Sequence, residues 1–148
     1  MADYALFRNI VRALALGEGA KARDLVSQMR DEEQREYTNY VSAMFAETFG
    51  HVFDEDHGIV AIKKFVDEMA YAYRKTDPPF KSLAMEALIR VLFYEDQTLD
   101  EVRPEDQLQL QIMGIRMIVD QNPVVQAQLE TFLADAEALA RQWESELQ

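Results

Sequence analysis

The residues with the richest chemistry stand close together. His51 and His57, the only two histidines in a chain of 148 residues, bracket the acidic string Asp54-Glu55-Asp56, and Glu47 precedes His51 by one helical turn. On a helix that spacing places Glu47 and His51 on one face. Imidazoles with carboxylates form a donor set that suits zinc, manganese or nickel, so Glu47, His51, Asp54 and His57 are the candidate metal ligands. A plainer reading of the same residues is preferred. An acidic run ahead of a helix satisfies that helix's first amides, Asp56 being the expected N-cap, and two imidazoles in a polar loop need no metal. The string does not fit a calcium loop, because the fifth and twelfth positions counted from Asp54, where oxygen ligands are required, hold Gly58 and Phe65. No cofactor is expected.

Other chemistry is scarcer. The chain has no cysteine, which removes disulfides, thiolate zinc sites and cysteine nucleophiles. Ser27, Ser42, Ser82 and Ser145 all fall in helical patterns, outside the G-x-S-x-G and S-x-x-K arrangements that activate a hydroxyl. Gly17-Glu18-Gly19-Ala20-Lys21 lacks the spacing of a phosphate loop and follows a helix rather than a strand. The 27 acidic side chains offer many carboxylate pairs and no preferred one. Tyr37, Tyr40, Tyr71 and Tyr73 would suit a ligand pocket, although a core with hydroxyls at its rim accounts for them more simply.

Charge narrows the partners. The net charge is -12, distributed as +2 over residues 1–30, -7 over 31–57, +2 over 58–82 and -9 over 83–148. A field of that sign repels phosphate backbones and anionic lipid, so neither nucleic acid nor membrane is an expected partner. The five basic residues before residue 31 are dispersed and are expected to serve solubility and intramolecular pairing. Residues 1–16 carry Asp3, Arg8 and Arg12 inside their apolar pattern and do not read as a leader. A cytoplasmic home is the expectation.

The elements that position these residues are helical throughout, and no segment alternates cleanly enough for a strand. The fold class predicted is all-α, with 1–148 as a single domain of six to seven helices. The first helix spans about 3–16 and ends at Gly17. A second, 20–29, buries Ala22, Leu25, Val26 and Met29. The third starts at Asp31-Glu32-Glu33, runs to about Val52 and presents Tyr37, Tyr40, Val41, Met44 and Phe45. The fourth follows to about Lys75 through Ile59, Ile62, Phe65, Val66, Met69 and Tyr73. The fifth, 79–94, is apolar on nearly every side and is expected to be central, and Thr98 is a candidate cap beyond it. Pro104 opens the sixth. Pro123 opens a seventh, to Leu147, whose Val125, Leu129, Phe132, Ala136, Leu139, Trp143 and Leu147 form a regular seam.

Four strings resemble a known group. Ala43-Met44-Phe45-Ala46, Ile62-Lys63-Lys64-Phe65-Val66, Glu86-Ala87-Leu88-Ile89-Arg90 and the run from Phe132 to Ala140 look like small acidic all-helical proteins of unknown function from actinobacteria. The resemblance spans most of the chain and implies no activity, substrate or site residue.

These observations point to a non-enzymatic domain that acts through contact with a protein partner. The C-terminal seam, with Leu139, Trp143 and Leu147, is the candidate interface and is long enough to support a homodimer. Two other classes stay open. One is a small-molecule or metal-binding helical sensor using the third and fourth helices, and the other is an enzyme working with carboxylates alone.

Overall fold

Asp3 starts the first helix, its Oδ1 accepting from the Leu6 amide at 3.0 Å. In the computed structural model, which describes residues 2–94 and 102–147, that helix is α1 (Tyr4–Ala15). Gly17 closes it in the left-handed conformation (φ 75°), with Gly17 N donating to Leu14 O and Glu18 N to Ala13 O. This is a Schellman ending, for which glycine carries no Cβ penalty. Then follow α2 (Gly19–Val26), a 3-10 turn (Asp31–Glu33), α3 (Gln34–Val52), α4 (Ile59–Ala72), α5 (Ser82–Arg90), α6 (Pro104–Gln121), α7 (Pro123–Ala127) and α8 (Leu129–Glu146). Among the described residues there is no strand, and the fold is all-α. Thr98 lies outside the described residues.

The centre of the molecule is α3. It packs against α8, α6 and α1 and buries Tyr37, Tyr40, Val41, Ala43, Met44, Phe45, Thr48 and Phe49. Within it the buried Thr48 Oγ1 donates back to Met44 O at 2.9 Å. Phe45 and Phe49 lie 4.2 Å apart between ring centres, and Phe65 meets Phe49 edge-on. Close approach of α6 is possible because Gly114 faces this cluster. A Cβ there would stand 2.7 Å from Phe49 Cζ and 2.9 Å from Met85 Cε.

Five expectations need correcting. The fifth helix is not central: only Met85, Leu88 and Ile89 of α5 are buried, and Leu83 is 83% exposed. Among the described residues its main neighbours are α4 and α6, so apolar side chains around its axis outnumber the neighbours available. It also begins at Ser82 rather than Pro79. Consecutive prolines hold the preceding backbone extended, and Phe80 stacks on Tyr73 (6.0 Å) before the chain turns helical. The second helix buries Ala22 alone, leaving Val26 exposed. Asp56 caps nothing directly; its Oδ1 accepts from Gly58 N, and Gly58 is the residue from which α4 starts. Finally, the C-terminal seam is not one helix. Asn122 Oδ1 accepts from Val124 N and Val125 N to start α7, and the backbone turns at Gln128 (φ -111°) before α8.

Arginines on the core-forming helices hold α8 in place. Arg12 meets Glu130 with two hydrogen bonds of 2.8 and 2.6 Å, Arg8 meets Glu137 at 2.8 Å, and Arg35 meets Glu144 at 3.0 Å. Tyr40, fully buried, donates its hydroxyl to Leu133 O at 2.9 Å across the same contact. Burial pushes the Tyr40 hydroxyl well above the usual range and Tyr37 up to about 12, so both stay neutral.

Candidate functional site

On α4 the inward positions Ile62, Phe65, Val66 and Met69, spaced three and four apart, are buried. The outward positions carry a pattern of their own. Val60 is 79% exposed and Tyr71 69%, and between them Lys63, Lys64, Asp67 and Glu68 stand in solvent. None of these four charged side chains makes a hydrogen bond or ion pair with another described residue. The Tyr71 ring carries the Arg74 guanidinium on its face at 4.1 Å. Beside this stripe a shallow groove of about 850 Å³ opens between α4 and α6, floored by Ala72 and Met117 and edged by Gln121. Its walls are mostly carbon. Val60 falls off the buried stripe of α4, and an apolar residue off the stripe was the available sequence signal for this face.

A second groove, of about 500 Å³, lies between α3 and α8. It gathers three of the four candidate ligands, Glu47, His51 and Asp54, and adds Asp135 from α8. Asp135 escapes a sequence reading because only the packing of α8 brings it there. Burial, and then the nearby Asp135 charge, raise the Glu47 carboxyl above the usual range. The His51 ring stands edge-on to Phe132 at 5.4 Å. His57 does not line this groove. It stacks flat on Phe93 at 4.9 Å, and its carbonyl accepts from the Tyr94 hydroxyl at 2.8 Å. Among the described residues no three His, Asp or Glu side chains converge closely enough to hold a metal ion.

The seam residues are mostly occupied. Leu139 and Trp143 are half-buried and pack against the core, and only Leu147, 73% exposed, is left open. The helix covering the seam is α3, assisted by α1. The tyrosines do not share a pocket: Tyr37 and Tyr40 are in the core, Tyr73 donates to Met113 O at 3.2 Å, and Tyr71 faces solvent.

Compared with known protein families, curated proteins and solved structures, the chain matches none. Among the described residues no helix is long and apolar enough to cross a membrane.

Proposed function

We propose that this chain is a non-enzymatic domain that acts through protein contact, and that the contact is made by the outer face of α4 with the adjoining edge of α6. One observation carries the reading: two large exposed side chains, Val60 and Tyr71, bracket four charges without partners beside an apolar groove. Large apolar side chains left in solvent beside an apolar groove mark a surface suited to contact with another molecule. The C-terminal seam supports the role less well, since its apolar length is spent on α3.

The test is a photo-crosslinking amino acid placed at Tyr71 and, as a control, at Leu83, which is exposed on α5. In extract from the native source, position 71 should give protein adducts well above those from position 83. Equal or absent adducts would remove the α4 face as the contact surface.

A further inference from the structure

The order of side chains along the α4 face reads the same in both directions once charge sign is reversed. From the N-terminal end it runs Val60, then Lys63 and Lys64, then Asp67 and Glu68, then Tyr71. The midpoint falls between Phe65 and Val66. At 100° per residue all six side chains lie on one face, opposite the buried Ile62, Phe65, Val66 and Met69.

Such an arrangement is self-complementary under a two-fold axis. We propose that the partner covering this face is a second copy of the same chain, its α4 lying antiparallel against the first. Each lysine pair then meets the Asp67–Glu68 pair of the other copy, and each Val60 meets the other copy's Tyr71. This inference rests on the α4 face being the contact surface.

Folding of α4 alone does not account for the pattern. Lysines placed one turn before acids are the less favourable intrahelical order, and the four side chains form no such pairs in the structure. The wider charge also favours this side for self-association. Residues 58–82 are net +2 in a chain of -12, so two copies approaching through α4 meet less of each other's negative charge than through residues 31–57 or 83–148. The helix has 14 residues and is therefore about 21 Å long. One such helix pair with the Met117 and Gln121 edge lies at the small end of specific interfaces, so the association is micromolar or weaker.

The register can be tested directly, because the chain has no cysteine to interfere. Antiparallel pairing brings Val60 near the other copy's Tyr71 and leaves the two copies of Val60 about 16 Å apart. A mixture of Val60→Cys and Tyr71→Cys chains should therefore form the mixed disulfide under mild oxidation, and neither variant alone should. Sedimentation at several hundred micromolar and physiological salt should show a dimer for the wild type. Lys63→Glu/Lys64→Glu and Asp67→Lys/Glu68→Lys should each associate at least about tenfold more weakly, since like charges then face each other. Mixing these two variants should restore the dimer. All substituted positions are exposed, and circular dichroism will show the helices retained.

A wild-type monomer at that concentration overturns the proposal, as does a dimer that ignores both charge reversals or a disulfide that forms as readily in Val60→Cys alone. A monomer whose position 71 still crosslinks to a different protein defeats the self-pairing and leaves α4 as the contact surface. Absence of crosslinks as well defeats both.

Discussion

Two helices with similar amphipathic patterns end up in opposite situations. Along α8, the charged residues Glu130, Glu137 and Glu144 each find an arginine on α1 or α3, and the apolar stripe between them is covered. Along α4, one stripe is buried, while the opposite face keeps Val60 and Tyr71 in solvent and leaves four charges without partners. A face whose polar groups are matched across a packed contact has been used by folding. One where large apolar groups and unmatched charges lie together has not, and it is the place to look for an external partner.

That contrast is open to attack at several levels. Leu133, fully buried where α8 meets α3, should be the most sensitive position. Leu133→Ala is expected to cost about 2–5 kcal/mol in urea unfolding, from lost transfer energy and a residual cavity. A loss under 1 kcal/mol would mean α8 is not held as described. Next comes Gly114→Ala. Its methyl group would overlap Phe49 and Met85, and a cost of about 1–3 kcal/mol from overpacking should exceed the benefit of alanine in a helix. A stabilised variant would show that α6 can move away from α3.

Smaller effects separate the paired charges from the unpaired ones. A double-mutant cycle on Arg12 and Glu130 should give a coupling of about 0.2–1 kcal/mol at neutral pH, the range for partly exposed pairs. The Arg12 hydrogen bonds hold the Glu130 carboxyl below its usual range. A depressed folded value makes this contribution present above the unfolded pKa, about 4.3, and lost as pH falls through the lowered one. Coupling that persists unchanged into acid would contradict the pairing. The same cycle on Lys64 and Glu68 at monomeric concentration should give none. Last, Tyr71→Ala should change stability by less than about 0.5 kcal/mol, as for surface positions generally; a large loss would place Tyr71 inside the fold after all.

Much of this architecture was legible in the residues, and the failures have physical causes. Gly17 announces the end of α1, and the spacing of Tyr37, Tyr40, Val41, Met44 and Phe45 announces the buried face of α3. The centrality of the fifth helix was misjudged because apolar content records what a helix could bury, and the neighbours decide what it does bury. The break at Gln128 carries no glycine or proline to mark it. Gly114, an isolated glycine in a helical pattern, was a usable sign of close approach. At the candidate surfaces, Glu47 and His51, grouped by helical spacing, line one groove, and Asp54 from the loop beyond α3 joins them there. His57 was grouped with them by proximity in sequence, yet its ring stacks on Phe93 and turns to different neighbours. The α4 pattern was visible residue by residue, but its meaning depends on knowing which side of the helix the fold leaves open.

A last consequence concerns how the molecule reports on itself. The chain has a single tryptophan, Trp143, and it sits half-buried near the end of α8 against the core. Its emission is therefore a local gauge of whether α8 is docked. If α8 comes away before the rest of the bundle, the fluorescence transition will precede the loss of helical ellipticity. Coincidence of the two would show that the last helix and the central one come apart as a single cooperative unit.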